Sequence, residues 1–416
     1  MKFQRPKGTK DILPKDMAKW HYVEKTIMEV MSLYNFSEVR TPTFELTELF
    51  TRGVGSETDI VGKEMYTFVD KGGNSITLKP EMTAPVARAY VENGLQSEAP
   101  LQKLFYIANM FRYEKPQEGR YREHTQFGAE ILGTDDVNSD IEIILLAKEV
   151  YNRCGINNFK VKINSIGKPE ERKKYVELLK TYLTGHLNEL SDESKRRLEK
   201  NPLRILDSKD KKDVKIVNNA PKILEHLETA SKNRFDKVIN GLDKLGVSYE
   251  VDFRLVRGLD YYTDTTFEFI SEDLGSQDAI GGGGRYDGLV EIVGGKPTPA
   301  IGFGSGIERV IMVAERNNFI FPALISLKIY LIALSDEAKK LISGLCYDLR
   351  KKGISCDADF IGKSLKAQMR EANKLNAEFV YIVGESEIQN GKGILKKMSD
   401  GSQTEIPFAE LKENLR

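Results

Sequence analysis

A chain of 416 residues has room for two to four domains at about 100–200 residues each. It is 40% hydrophobic and 30% charged, the balance of a soluble globular protein rather than a disordered or membrane-embedded one. Lys+Arg and Asp+Glu number 62 each, so the net charge is zero. That argues against a protein living on non-specific nucleic-acid binding, while a local basic patch for an RNA partner stays open.

The three cysteines, Cys154, Cys346 and Cys356, form no CxxC pair, and the four histidines are scattered without an HExxH. This pattern fits a reducing compartment and implies neither a disulfide framework nor a metal site. Residues 1–14 lack an apolar signal core, and the apolar stretch 319–334 is broken by Pro322 and Lys328. A cytoplasmic protein with no membrane span is therefore the expectation.

In chain order, Trp20, Val23, Ile27, Met31 and Tyr34 recur at helical spacing and predict a helix over 16–34. A short strand over 38–45 follows, and Pro42 puts it at an edge or an interface. Residues 101–132 read as a long antiparallel hairpin, with arms 104–114 and 123–132 and a tip carrying Pro116 and Gly119. Side chains alternate along a strand, so Arg112 and Glu114 share one face of the first arm, and Gln126 and Glu130 one face of the second. Phe111, Tyr113, Phe127 and Ile131 point the other way, to a core. Arg120 and Arg122 sit at or near the tip, where a planar guanidinium suits phosphate oxygens.

A helix is expected over 140–154. From 168 to about 250 the chain turns Lys/Glu-rich and helical, as an inserted subdomain would. Strand-like sequence resumes over 251–269. The segment Arg257-Gly258-Leu259-Asp260-Tyr261-Tyr262 lies within it, and Gly281-Gly282-Gly283-Gly284-Arg285-Tyr286-Asp287-Gly288 follows. A glycine run of this kind marks a bulge or a close backbone approach, with a flexible loop as the alternative. In Gly302-Phe303-Gly304-Ser305-Gly306-Ile307-Glu308-Arg309, alternate glycines clear one face of a strand for a flat ring, and Arg309 can stack on it. Beyond residues 321–326 strands (329–334, 355–360, 379–384) alternate with helices (336–352, 364–375), predicting a small α/β domain with a mostly parallel sheet.

With these segments in this order, the chain resembles the class II aminoacyl-tRNA synthetases, and among them the histidyl family. Motif 1 resembles residues 35–45, motif 2 residues 111–130 and motif 3 residues 302–309. The Arg257–Tyr262 and Gly283–Gly288 segments resemble the signatures typical of histidyl enzymes. The resemblance implies a multidomain α/β protein. Its parts are a catalytic domain over 1–325 with an antiparallel sheet flanked by helices, a helical insertion over 168–250, and a C-terminal α/β anticodon-binding domain over 326–416. It implies activation of L-histidine with ATP and Mg²⁺, transfer to tRNA(His), and a homodimer joined near Pro42.

The same resemblance assigns roles. Glu81, Thr83 and Gln126 would hold the α-amino group. Glu130, Tyr262 and Tyr286, with Tyr261 beside them, would meet the imidazole. Arg112 would bind the α-phosphate, Glu114 the adenine edge and Arg120 the distal phosphates. Arg309 would stack on adenine, and Arg257 would grip the α-phosphate from the opposite side. Two positions depart from the family. Lys79 stands where Arg is usual. His124 stands where an aromatic such as Phe is common, and a structural histidine is the favoured reading over a site neighbour.

Overall fold

The computed structural model describes residues 3–55, 58–274, 279–322 and 327–415. The chain divides into two compact units, Met1–Phe321 and Pro322–Arg416. The domain boundary expected at 325/326 falls among residues 323–326, outside the described residues.

The first unit is built on an eight-stranded sheet. Its spatial order is Ser37–Glu38, Gln102–Phe111, Glu123–Leu132, Ala300–Gly306, Ala279–Arg285, Thr263–Ile270, Lys160–Ser165 and Tyr249–Val251. The six inner strands run antiparallel, and each short edge strand lies parallel to its neighbour. Strand alternation divides this sheet cleanly. On one face Phe105, Phe127, Ile131, Phe267, Phe269, Ile301 and Phe303 are buried in one apolar cluster. The helices Pro14–Leu33, Val137–Arg153 and Ile307–Arg316 supply its other wall, through Ile27, Ile144, Val310 and their helical neighbours. The opposite face carries Gln126, Glu130, Glu268 and the even-numbered glycines, and it is free to hold a site.

The second helix begins where Asp136 caps the Asn138 amide at 2.8 Å. Its Asp140 is fully buried and holds two arginines. Arg285, also fully buried, reaches Asp140 at 3.0 Å, Ser139 at 2.8 Å and Asp287 at 3.0 Å. Arg234 of the helix Thr229–Lys244 reaches the same Asp140 oxygen at 3.0 Å. One carboxylate thus ties the glycine-rich strand to the last helix of the insertion.

Several expectations need correction. The segment expected as one strand over 38–45 is two strands in different sheets. Ser37–Glu38 edges the large sheet, Phe44–Leu46 joins Tyr66–Val69 and Ser75–Leu78 in a three-stranded sheet, and Pro42 lies between them. The first hairpin arm is Gln102–Phe111 and stops short of residue 114. The chain leaves the ladder there because the Tyr113 amide bonds Glu64 O at 2.7 Å instead. Tyr113 is consequently 53% exposed under the Arg122 guanidinium, not in the core. The strand expected over 251–269 is interrupted from 252 to 262, so the Arg257–Tyr262 segment is irregular backbone. The region 168–250 is helical as expected, in Pro169–Gly185, Asp192–Lys200, Leu203–Leu206, Lys211–Val217 and Thr229–Lys244. Its last two residues already belong to the strand Tyr249–Val251.

The second unit is a five-stranded sheet, ordered Cys356–Ala358, Ile329–Ala333, Phe379–Val383, Lys392–Lys397 and Gln403–Pro407. The first three strands are parallel and the last two form an antiparallel hairpin, so the sheet is mixed rather than mostly parallel. Among the described residues no helix is long and apolar enough to cross a membrane.

Removing Asp140 would leave Arg285 and Arg234 without their shared carboxylate in a dry interior. Asp140→Ala is expected to lower stability by about 3–5 kcal/mol, measured by denaturant unfolding. An unchanged midpoint would show that the network contributes nothing net.

Candidate active site

An open cavity of about 210 Å³ lies on the glycine-bearing face of the large sheet. Its floor exists because particular positions have no side chain. A Cβ on Gly302 would fall inside the Glu130 carboxylate, and one on Gly304 would strike the Gln126 amide. A Cβ on Gly282 would stand 2.7 Å from Arg257 Nη1 and 2.9 Å from Glu268 Cγ. The glycines therefore clear room mainly for the protein's own polar side chains, which lie down across neighbouring strands. Only at Gly306, where the nearest atoms are Glu308 Oε2 at 3.9 Å and Arg309 Cγ at 4.0 Å, does the cleared space stay open for a flat ring.

One end of the site is acidic and dry. Glu81 is buried, and its carboxylate accepts from the Thr83 amide at 2.8 Å, the Ala84 amide at 3.0 Å and Tyr261 OH at 3.4 Å. Glu130 lies beneath the cavity and accepts from Thr83 Oγ1 at 2.9 Å and Tyr286 OH at 2.7 Å. Burial pushes the Glu130 carboxyl up to about 8, against the hydrogen bonds from Tyr286 and Thr83 that favour its charged form. Burial also raises Glu81, opposed by its backbone amides. Tyr261 packs on Tyr262 at 4.8 Å and on Tyr286 at 5.7 Å between ring centres, which walls this end with three phenols.

The other end is basic. Arg112 donates to Pro80 O at 2.7 Å, and Arg120 pairs with Glu114 at 3.0 Å. Arg309 donates to Gly119 O at 3.1 Å, which ties the first turn of its helix to the hairpin tip. Arg257 is paired with Glu268 and sits 5.7 Å from the Tyr262 ring centre.

The cavity brings together Glu81, Thr83, Arg112, Glu114, Arg120, Gln126, Arg257, Tyr261, Tyr262, Tyr286 and Arg309 as lining residues. Glu130, the remaining candidate, reaches them from below through Thr83 and Tyr286. Lys79 is elsewhere: it is buried with its ammonium 3.3 Å from Thr41 O, and it does not line the cavity. His124 does line it, and it also keeps a backbone hydrogen bond at Tyr121, so the structural histidine is at the same time a neighbour of the cavity. Burial, then Arg112 and Arg309, hold its pKa down to about 3, and the ring is a neutral imidazole.

Two residues escaped the sequence reading. Glu268 anchors Arg257, and Tyr106 OH accepts from Gln126 Nε2 at 3.2 Å and lies 3.5 Å from Glu130. Both had a usable signal. Glu268 alternates with Phe267 and Phe269 and so must face the glycines. Tyr106 shares its face with the residues opposite Gln126 and Glu130.

An antiparallel sheet with this glycine-floored, charge-divided cavity, entered by a hairpin tip and a helix-opening arginine, defines a class II aminoacyl-tRNA synthetase catalytic unit. The sequence profile described as Histidyl-tRNA synthetase matches residues 8–310, and that described as Anticodon binding domain matches residues 328–416. The chain belongs to the histidyl-tRNA synthetase family. It is 48% identical over 413 residues to a histidine–tRNA ligase of Acetivibrio thermocellus, covering 99% of both chains. It is 47% identical over 416 residues to one of Halothermothrix orenii, covering 100% of this chain and 99% of that one. Among solved structures, the apo S. aureus histidyl-tRNA synthetase crystal structure matches with a TM-score of 0.83 and 35% identity, covering 100% of both chains.

The raised Glu130 pKa has a pH signature. The folded chain holds an extra proton between the ordinary value of 4.5 and about 8, so the stability it contributes is complete below 4.5 and lost as pH rises through 8. Glu130→Gln is expected to flatten this part of the stability profile, read from unfolding midpoints at about pH 5, 7 and 9. A profile as steep as that of the parent chain would assign the linkage to other groups.

Proposed function

We propose that this protein activates L-histidine with ATP and transfers it to tRNA(His), giving histidyl-tRNA, AMP and diphosphate. The observation that carries the reading is the division of charge in one cavity. Two buried carboxyl groups and three phenols at one end suit an ammonium and an imidazole. Four guanidiniums at the other suit a triphosphate.

In this reading Glu81, Thr83 and Gln126 hold the α-amino group, and Glu130, Tyr261, Tyr262 and Tyr286 surround the imidazole. A site whose buried polar groups need both ring nitrogens rejects amino acids that lack them, because those groups would be left unpaired. Glu114 meets the adenine edge, Arg309 stacks on the base beside Gly306, and Arg120 takes the distal phosphates. Arg112 and Arg257 grip the α-phosphate from two sides. The histidine carboxylate attacks the α-phosphorus in line, the bond to the bridging oxygen breaks, and diphosphate leaves with that electron pair. No proton need move, so positioning and charge neutralisation do most of the catalysis.

Among the described residues no three His, Cys, Asp or Glu side chains group as metal ligands. Mg²⁺ is assigned to the nucleotide it travels with, where it would neutralise phosphate charge. The ribose hydroxyl at the tRNA 3′ end then attacks the carbonyl carbon of the mixed anhydride, the acyl–phosphate bond breaks, and AMP leaves with that electron pair while its phosphate can take up the hydroxyl proton. Residues 328–416 are assigned to reading the anticodon, in keeping with their profile match. A cytoplasmic location belongs to the same reading and suits three free, buried thiols.

Homodimer formation is also proposed. Phe44, Leu46 and Phe68 stand exposed on one face of the three-stranded sheet next to Pro42, an apolar patch that a second copy would cover.

The deciding assay is ATP–diphosphate exchange with each of the twenty amino acids, without tRNA. Exchange with histidine alone is expected, and no exchange by folded protein with Mg²⁺ present would refute the activity. Arg257→Ala is expected to slow exchange by roughly 10²–10³, the scale for losing a transition-state donor. A near-parental rate would remove Arg257 from the chemistry. Light scattering at micromolar concentration is expected to give twice the chain mass, and a monomer would contradict the dimer.

A further inference from the structure

Two of the three tyrosines at the acidic end of the cavity, Tyr261 and Tyr262, are not carried on a strand. They end the irregular stretch from 252 to 262, and something outside the sheet must fix that backbone. One support comes from the body of the catalytic unit, where the Asp260 amide donates to Val54 O at 3.0 Å. Residues 252–255 are held from the strand Lys160–Ser165, through the Asp252 amide to Ile163 O and Asn164 Nδ2 to Leu255 O, both at 3.0 Å, whereas the supports around residues 258–262 come from the inserted helices. Arg172, in the first turn of Pro169–Gly185, donates through Nη1 to Tyr262 O and lies 3.4 Å through Nη2 from Asp260 O. Asn201 reaches Asp260 Oδ1 at 3.4 Å, and the Arg204 guanidinium covers Gly258, 3.8–4.0 Å from where a Cβ would stand. Just beyond, the Asp264 amide donates to Gly167 O at 3.0 Å, and the Ile166 amide donates to Asp264 O at 2.8 Å. Three separate helical segments of the insertion therefore converge on residues 258–262.

We propose that Arg172 is a positioning residue for histidine recognition. Its guanidinium grips the two carbonyls on either side of Tyr261, and through them the inserted subdomain sets where Tyr261 and Tyr262 stand. The proposal rests on the reading that these tyrosines face the bound histidine. The chemistry fits the task. Two acceptors two residues apart need two donors in a fixed fork, which guanidinium provides and ammonium does not. Arg172 itself does not line the cavity. Most of the nucleotide end should be insulated from its loss, Arg257 being the exception in lying on the same segment and against the Tyr262 ring. Arg112, Arg120 and Arg309 are held by the hairpin and its neighbours, and Arg257 is held by Glu268 of the strand Thr263–Ile270.

The test is steady-state ATP–diphosphate exchange on the full-length chain, with KM for histidine and for ATP read separately. Arg172→Ala is expected to raise KM for histidine of order tenfold or more, the scale of a site displaced by a fraction of an ångström to an ångström. KM for ATP should stay within about twofold. Arg172→Lys should fall between, keeping the charge and losing the fork. If Arg172→Ala raises both KM values alike, or lowers only the melting temperature, the proposal is overturned and Arg172 is merely structural. If Arg172→Ala does not fold, Arg172→Lys decides, and a parental KM for histidine in that variant overturns the proposal. Tyr262→Phe separates the two levels of inference. An unchanged KM for histidine there overturns the underlying tyrosine assignment. A raised one, beside a silent Arg172→Ala, overturns this proposal alone.

Discussion

Glu81 and Glu130 lie buried within reach of a cavity that also holds Arg112, Arg120, Arg257 and Arg309. In their charged forms such groups attract strongly at low dielectric, and a site that let them collapse onto each other would have nothing left for a ligand. What prevents this is that the guanidiniums are anchored away from the two glutamates. Arg112 is held by Pro80 O, Arg120 by Glu114, Arg257 by Glu268 and Arg309 by Gly119 O. Glu81 and Glu130 are met instead by neutral donors, namely amides, a threonine hydroxyl and phenols. The unsatisfied part of that arrangement is visible in the raised pKa of both carboxyls, and a cationic ligand group would relieve it.

The rest of the unit follows from holding that separation open. Long polar side chains must lie flat over a sheet, and only strands that alternate phenylalanine or isoleucine on the core side with glycine on the other can offer both a core and a floor. Ala300–Gly306 does so in seven residues. The cost is a strand with little side-chain packing on its upper face. The Arg285–Asp140–Arg234 network clamps the neighbouring glycine-rich strand from its end.

Much of this was legible in the amino-acid order. The hairpin, the alternating glycines, the helical insertion and the α/β rhythm near the end all follow from period, turn residues and composition. What escaped had identifiable causes. The course of 252–262 is set by partners far away in sequence, such as Val54, Arg172 and Asn201, and no local pattern records it. The C-terminal hairpin Lys392–Pro407 mixes lysines and glycine through a half-solvated edge, where alternation is weak. His124 is polar and ambiguous by itself; only its three arginine neighbours in space make it a cavity residue.

The insertion leaves the large sheet after Lys160–Ser165 and comes back as Tyr249–Val251, with Tyr249 opposite Val161. Departure and return are therefore separated by about four strand residues, roughly 13 Å. A segment whose ends are that close behaves as a closed loop on one edge of the scaffold. Lengthening it adds little to the entropy of closure, since that grows only with the logarithm of loop size. The large sheet would feel little if parts of the insertion away from Asn201, Arg204 and Arg234, which reach residues 258–262 and Asp140, were shortened or extended. The part of the insertion nearest its stem, where the first helix starts, carries the opposite constraint. Such a module can drift in size and surface among relatives while its root stays fixed, which is how an appendage acquires new partners without disturbing the chemistry beneath it.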